Sequence, residues 1–213
     1  MSLADQLQEG LAALGLELSA ATQSMLLRYV ALLKKWNATY NLTAIRDEKD
    51  MVTQHLLDSL SLLPTLENSA LVTRRWADVG SGAGLPGIPL AIARPDFDMT
   101  LVEAVEKKSA FQRQARIELG LANVTVHGGR VEDMAGGSFA AVVSRAFADL
   151  ADFVNLTAHL AGPETRILAM KGVYPADEIA RIPAGFALER STPLTVPGLD
   201  AERHLIIVKR SKN

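Results

Sequence analysis

The segment from Asp78 to Gly87, DVGSGAGLPG, places four glycines within ten residues. Glycine loses more backbone entropy on folding than any other residue, so this concentration indicates a backbone that side chains would obstruct. An apolar run ending at Val79 precedes the glycines, and a helix is predicted to open near Pro86. A strand, a glycine loop and a helix in this order are typical of sites that bind nucleotide-like ligands at the carboxyl end of a parallel sheet.

The chain after Trp76 alternates short apolar runs with amphipathic stretches, which predicts an α/β fold with crossover helices. Strands are predicted at 76–79, 98–103, 123–127, 139–144 and 166–170, and helices at 86–93, 105–119, 149–160 and 174–180. The last two extended runs, FALERSTPLTV and RHLIIVKR, have only a loop between them. We therefore expect a mostly parallel seven-stranded sheet that finishes on an antiparallel hairpin.

The first 64 residues have helical periodicity. Three helices are predicted there: one with a capping box at Ser2 and Asp5 and a stop at Gly15, one from Ser19 to Trp36 followed by a turn that begins at Asn37, and one capped by Asp47 that ends before Pro64. We expect these helices to form an extension, residues 1–70, packed on a Rossmann-like domain, residues 71–213.

Composition limits the location and the partners of the chain. No apolar run approaches the roughly 18 residues that span a bilayer, and the N-terminus lacks a basic region followed by an apolar one, so a cytoplasmic protein is expected. The 22 basic and 24 acidic residues give a net charge of −2. Any contact with nucleic acid must therefore come from local basic surface.

The ligand of the glycine loop is not decided by the loop alone. Gly82, Gly84 and Gly87 also match the dinucleotide fingerprint, so a nicotinamide cofactor, S-adenosylmethionine and a purely structural turn all remain open. Glu103 closes the second strand, where its carboxylate can accept hydrogen bonds from both ribose hydroxyls of either cofactor.

A second acidic residue and the final strands of the chain help to decide between a nicotinamide cofactor and S-adenosylmethionine. Glu132, with the backbone around Val131, is placed where an adenine edge would lie, although it can also be an ordinary acidic residue at a helix start. A dinucleotide enzyme would continue into a second half with parallel strands, whereas this chain ends on a hairpin. This favours S-adenosylmethionine.

Two absences bear on the methyl acceptor. The chain has no cysteine, the usual nucleophile for methylation at pyrimidine C5, and it has SRAF, Ser144 to Phe147, where exocyclic-amine methylases carry an (N/D/S)-P-P-aromatic tetrapeptide. Guanine N7 has a lone pair and no proton to lose, so alignment without a general base would suffice. An aromatic face over the base would help, and Phe147, Trp36 and Tyr40 are candidates, although Trp36 can also be a core-packing residue.

The segments KWNATYNLTAIRD, HLLDSL, DVGSGAGLPGIPLAIARP, VSRAF and MKG occur in this order over nearly the whole chain. In these segments the chain resembles the bacterial RsmG family, also called GidB or glucose-inhibited division protein B. The resemblance implies a class I methyltransferase fold, S-adenosylmethionine as donor, S-adenosylhomocysteine as product and no metal. It also implies methylation at N7 of guanine 527 in the 530 loop of 16S rRNA, and a link to streptomycin sensitivity.

The resemblance also assigns residues. It implies cofactor contacts at Gly80, Leu85, Val131, Glu132 and Arg145, to which the motif reasoning adds Gly82 and Glu103.

Four further residues are candidates for the reaction itself, beside Phe147. Arg145 could pair with the cofactor carboxylate or an RNA phosphate, or form an ordinary surface ion pair. Lys171 is expected to meet phosphate. Asn41 and His55 are expected near the rim of the active site, although Asn41 can be only a turn residue and His55 only a polar position on a packed helix.

The expected partner is 16S rRNA in the small ribosomal subunit, with no DNA and no membrane, and the chain is expected to be a monomer. Two alternatives stay open: an NAD(P)-dependent oxidoreductase, and a non-catalytic RNA-binding or ribosome-assembly protein of the same fold.

Overall fold

Helices precede an alternating series of strands and helices. The computed structural model describes residues 1–66, 75–137, 139–145 and 147–211. The elements are α1 Leu3–Ala13, α2 Ala20–Tyr40, α3 Glu48–Met51, α4 Asp58–Leu60, α5 Leu63–Leu66, β1 Arg75–Val79, α6 Gly87–Ala93, β2 Asp98–Glu103, α7 Glu106–Leu119, β3 Val124–Gly128, β4 Ala141–Ser144, α8 Leu150–Thr157, β5 Arg166–Lys171, α9 Ala176–Ile179, β6 Phe186–Pro193 and β7 His204–Arg210. A π-helical turn, Val52–Leu57, joins α3 to α4, and 3₁₀ turns occupy Val131–Asp133 and Ala158–Leu160.

The seven strands form one sheet in the order β3-β2-β1-β4-β5-β7-β6. Strands β1 to β5 are parallel, whereas β7 is antiparallel to both β5 and β6. The predicted mostly parallel sheet with a terminal antiparallel hairpin is confirmed. Strand order reverses between β1 and β4, and crevices at the carboxyl ends of strands beside such a reversal are where α/β proteins bind ligands.

Each face of the sheet carries its own apolar core. Alternate strand residues such as Trp76 and Leu101 face the N-terminal helices, α6 and α7, while Ala77 and Val102 face α8. The helices before β1 thus share one core with the sheet instead of forming a separate one. The expected boundary between residues 70 and 71 lies outside the described residues, so the division into two parts stays a prediction.

The first two helices differ in how well their ends were predicted. Ser2 and Asp5 form the predicted capping box at the start of α1. The prediction that Asn37 begins a turn is wrong, because α2 continues to Tyr40 and Asn37 is buried within it. Its side chain donates to Ile45 O at 3.1 Å and accepts from Thr43 N at 2.9 Å, so it binds the following loop instead of ending the helix.

The predicted third helix is also interrupted. Asp47 caps it as expected, with Oδ1 accepting the Lys49 N–H at 2.8 Å. The regular helix gives way to the π-helical turn at Val52 and ends at Leu60, before Pro64 as predicted. It is not one continuous helix, however, and Leu63 belongs to the separate helix α5. Pro64 lies in the first turn of α5, where its missing N–H costs no helical hydrogen bond. None of the helices in the described ranges combines the length and the apolar character needed to cross a bilayer.

Candidate active site

Four glycines shape the loop between β1 and α6. Gly80, Gly82 and Gly84 have φ angles of 69°, 58° and 86°, in the left-handed region that favours glycine. At Gly87 the constraint is steric, because a Cβ at this position would lie only 2.4 Å from Leu101 Cδ2. The first three glycines therefore satisfy a conformational demand, and the fourth allows α6 to pack closely on β2.

Side chains from neighbouring elements hold this loop. Glu103, the last residue of β2, accepts the Gly82 N–H through Oε2 at 2.7 Å and the Val105 N–H through Oε1 at 2.8 Å. Gln112 of α7 is fully buried and donates to Ser81 Oγ and to Gly82 O, both at 2.8 Å. The loop is therefore fixed by β2 and α7 before any ligand is considered.

The N-terminal helices also reach the loop. Tyr29 of α2 is completely buried, and its hydroxyl donates to Ala83 O at 2.8 Å. Burial raises the pKa of Tyr29, so the hydroxyl keeps its proton and remains a donor. The helical extension thus supports the glycine loop directly.

Asp78 is a buried carboxyl group behind the loop. Its Oδ2 accepts the Gly87 N–H at 2.8 Å, while Oδ1 has no hydrogen-bond partner among the described residues. Burial raises the pKa of Asp78 to about 7, and the Gly87 hydrogen bond and the charge of Arg145 oppose this only in part. Near neutral pH the group is therefore partly protonated.

One cavity lies at the carboxyl ends of β1 and β2. This strand-end cavity has a volume of about 310 Å³, and its walls include Gly80, Glu103, Val131, Glu132 and Phe147. Four of the predicted cofactor residues are therefore brought together here. Phe147, a candidate for covering the acceptor base, lies with them.

A second cavity adjoins the first along the glycine loop. This loop cavity has a volume of about 240 Å³ and is lined in part by Thr43, Gly80, Gly82, Leu85 and Arg145. It contains the remaining predicted cofactor residues. Because Gly80 lines both cavities, all seven predicted cofactor residues border one continuous region of the surface.

A third cavity is lined by charged and polar side chains. This arginine cavity has a volume of about 370 Å³, and its walls include His55, Asp58, Arg145, Lys171 and Arg203. Arg145 lines both the loop cavity and the arginine cavity. The predicted candidates Arg145, His55 and Lys171 are thus assembled on one site that borders the cofactor residues.

Asp58 organises the arginine cavity. Its side chain is 2% exposed, with Oδ2 2.8 Å from Arg145 Nη1 and Oδ1 3.0 Å from Arg203 Nε. Arg145 also donates to Gln54 O at 2.8 Å. One buried carboxylate between two guanidinium groups leaves a formal charge of +1 on the cluster, which suits an anionic ligand.

His55 is a neutral member of the same wall. Its Nε2 lies 3.0 Å from Thr43 Oγ1 and its Nδ1 lies 3.1 Å from Gln54 O. Burial and the positive charge of Arg145 lower the pKa of His55 to about 4. The ring is therefore uncharged at neutral pH. It lies in the π-helical turn, a distortion that recurs at functional sites.

Lys171 does not present a free ammonium group. Its Nζ lies 2.7 Å from Glu178 Oε2 and donates to Phe147 O at 3.1 Å and to Ala148 O at 2.9 Å. The Phe147 ring in turn stacks on Phe153, with centroids 4.9 Å apart. Lys171 thus positions the segment that follows β4.

The remaining candidates lie outside the three cavities. Asn41 is exposed and ends α2 with a φ of 49°, and its Oδ1 accepts from Arg46 Nη2 at 2.9 Å. Trp36 packs against Phe111, with centroids 5.7 Å apart, and against Tyr40, at 5.2 Å. In the described part of the chain, none of Asn41, Trp36 and Tyr40 lines a wall of these cavities.

Sequence reasoning missed four residues that hold the site together. They are Tyr29, Asp58, Gln112 and Arg203. Asp58 and Gln112 carried a signal, since each is a polar residue among buried apolar neighbours of a helix. Tyr29 fitted an ordinary apolar stripe, and Arg203, at the start of the extended run RHLIIVKR, carried no signal for a role in the site. Among the described residues, no group of three or more His, Asp or Glu side chains could hold a metal ion.

The sequence and the fold were compared with those of known proteins. The family model of GidB, rRNA small subunit methyltransferase G, matches residues 22–206. Ribosomal RNA small subunit methyltransferase G of Aromatoleum aromaticum is 60% identical over 210 residues, which cover 96% of this chain and 98% of the relative.

Solved structures share the fold at low sequence identity. MtNAS in complex with MTA and tNA superposes with a TM-score of 0.61 at 18% identity, over 89% of this chain and 72% of that one. Ribosomal protein L11 methylase from Lactobacillus delbrueckii subsp. bulgaricus gives a TM-score of 0.55 at 14% identity, over 73% and 77%. The fold is that of class I S-adenosylmethionine-dependent methyltransferases. With its family match and its close relative, the chain belongs to the rRNA small subunit methyltransferase G family, GidB.

Proposed function

We propose that this protein methylates N7 of guanine 527, in the 530 loop of 16S rRNA, with S-adenosylmethionine as the methyl donor. The observation that carries the proposal is the junction of the cavities at Arg145, which lines both the loop cavity and the arginine cavity. A donor held on the glycine loop and an acceptor held in the arginine cavity would meet there. Family membership supports rRNA as the class of substrate.

The residues of the first two cavities fit the proposed donor. Glu103 is 6% exposed, and its carboxylate has further acceptor capacity for ribose hydroxyls beside the two N–H groups it already binds. Val131 and Glu132 lie on the same cavity wall, where the adenine would lie. Arg145 offers its guanidinium to the carboxylate of the methionine portion. When bound, S-adenosylmethionine supplies a methyl group on a positively charged sulfur.

Methylation at guanine N7 needs no general base from the arginine cavity. N7 has an in-plane lone pair and no proton, so the protein needs to align the base and exclude water, and no side chain has to remove a proton. His55, neutral because its pKa is lowered to about 4, can contact the base without adding a positive charge beside the ring that becomes cationic. Arg203, on the wall of the same cavity, would contact RNA phosphate.

The proposal is tested by methyl transfer with mapped products. Small ribosomal subunits from a strain that lacks the modification are incubated with the protein and labelled S-adenosylmethionine, and the labelled nucleotide is mapped. We expect one labelled N7-methylguanine in the 530 loop. Label at another position would disprove the proposed specificity, and a lasting absence of label would favour a non-catalytic RNA-binding or assembly protein.

The oxidoreductase alternative is less well supported. The sheet ends on the antiparallel β7 and β6, whereas a dinucleotide fold continues with parallel strands. Thermal stabilisation by NAD(H) and not by S-adenosylhomocysteine would favour that alternative. We further propose that the protein acts as a monomer in the cytoplasm.

A further inference from the structure

Tyr174 is an aromatic side chain exposed beside the arginine cavity. It follows β5 and is 45% exposed, and its neighbour Val173 is 74% exposed. Across the described residues, neither side chain lines the arginine cavity or the loop cavity, and neither contributes to the buried core. Two adjacent exposed apolar side chains at the rim of a charged cavity mark a candidate contact surface.

The Tyr174 ring is braced by a second ring. Its centroid lies 5.7 Å from that of His204 at an interplanar angle of 68°, an edge-to-face arrangement. His204 Nδ1 lies 2.8 Å from Gly172 O, and because a carbonyl can only accept, this nitrogen carries the proton. The imidazole is thereby fixed in orientation, and Tyr174 rests against a rigid partner.

The two rings are tied to the arginine cavity through its wall. Gly172, which accepts the His204 hydrogen bond, lines the cavity, and so does Arg203, the residue before His204. His204 also lies opposite Lys171 in the pairing of β5 and β7. The exposed ring therefore lies beside the wall of a cavity that contains Arg145 and Arg203.

An aromatic ring beside cationic groups fits single-stranded RNA better than a purely apolar partner. Unpaired bases stack on aromatic side chains, while arginine and lysine contact the backbone phosphates. We propose that Tyr174, braced by His204, is a stacking site for an unpaired nucleobase of the RNA substrate next to the methylated guanine. This inference rests on the proposed function, and it adds a base contact outside the cavity.

The test is a direct measurement of base stacking. A single-stranded oligoribonucleotide carrying 2-aminopurine is titrated with the wild-type protein, Tyr174→Leu and Tyr174→Phe, and the fluorescence is followed. We expect quenching with the wild type and with Tyr174→Phe, which keeps the ring. Tyr174→Leu should lose the quenching and bind about tenfold more weakly, within the range of about 1–3 kcal/mol per stacked base.

A matched control separates stacking from general surface effects. Leu188 on β6 is another exposed apolar residue, at 37% exposure, and Leu188→Ala should bind the oligoribonucleotide like the wild type. All variants should keep the wild-type affinity for S-adenosylhomocysteine. Equal quenching by Tyr174→Leu and the wild type, or equal weakening by Leu188→Ala, would overturn the inference.

Methyl transfer to small subunits distinguishes this inference from the proposed function. If the wild type transfers no methyl group but the fluorescence follows the expected pattern, the proposed reaction fails and the stacking site stands. If transfer occurs and Tyr174→Leu keeps the wild-type KM for RNA, the stacking site fails alone. If Tyr174→Leu raised the KM for the intact subunit but not for naked rRNA, Tyr174 would contact a ribosomal protein and not a base, and the proposal would be overturned.

Discussion

Glu103 is a single residue on which the glycine loop depends, because each of its two oxygens accepts one backbone N–H. Glu103→Gln keeps the size but turns an amide NH₂ toward one of these donors. An unsatisfied buried donor costs about 1–3 kcal/mol, so we expect a lower melting temperature and about tenfold weaker binding of S-adenosylhomocysteine by calorimetry. Glu106→Gln, with a 78% exposed side chain, is the control. Equal affinities in the two variants would refute this role.

Asp78 predicts a pH-dependent stability. Its pKa is 3.8 in an unfolded chain and about 7 in the fold, so its contribution is present below pH 3.8 and is lost as the pH rises through 7. Asp78→Asn removes this loss while its amide oxygen can still accept the Gly87 N–H. Relative to the wild type, the variant should gain stability from pH 5 to pH 8, by on the order of a few kcal/mol. Urea unfolding of both proteins at pH 5 and pH 8 measures this gain. If the difference in unfolding free energy between variant and wild type did not change with pH, the raised pKa of Asp78 would be disproved.

His55 acts on stability in the opposite direction. Its pKa of about 4 is below the ordinary 6.5, so its contribution is present above pH 6.5 and is lost as the pH falls through 4. Between pH 4 and pH 6.5, the contributions of Asp78 and His55 to the pH dependence of the unfolding free energy should therefore nearly cancel in the wild type. Comparing Asp78→Asn with the wild type at each pH cancels the His55 contribution.

Helix α2 supports the cofactor loop through one hydroxyl. Tyr29→Phe leaves Ala83 O buried without its partner, so we expect a loss of about 1–3 kcal/mol in unfolding free energy and weaker binding of S-adenosylhomocysteine. Tyr40→Phe on the same helix removes a hydroxyl from a side chain that is 42% exposed and serves as the control. If calorimetry gave the same affinity for both variants, the helix would not support the loop.

The elements differ in how far the sequence could predict them. The strands were predictable because short apolar runs bounded by turn residues are a local signal. The end of α2 was not, because Asn37 serves a loop whose path depends on tertiary contacts. The same limit applies to the site: the glycine loop and Glu103 follow a local pattern, but Asp58 meets Arg203, which is 145 residues away.

The whole molecule is predicted to unfold as one unit. The N-terminal helices and the sheet share a core that joins Leu7 and Leu26 to Trp76 and Leu101. The chain has two tryptophans, Trp36 in α2 and Trp76 in β1. Trp76→Phe therefore leaves a fluorescent reporter only in the N-terminal helices, and Trp36→Phe leaves one only in the sheet. We expect each variant to show coincident fluorescence and circular dichroism midpoints in urea, as for a two-state transition. Separate midpoints would show that residues 1–70 unfold independently.

Arg145 has a consequence for the whole molecule because it lines two cavities. A ligand in either cavity changes the environment of the same guanidinium, so the two occupancies belong to one thermodynamic cycle. Such a cycle is reciprocal: if RNA tightens donor binding by a given factor, the donor tightens RNA binding by the same factor. In the proposed reaction, the exchange of a positively charged donor for its neutral product would change the charge near that guanidinium, and with it the affinity for the methylated RNA.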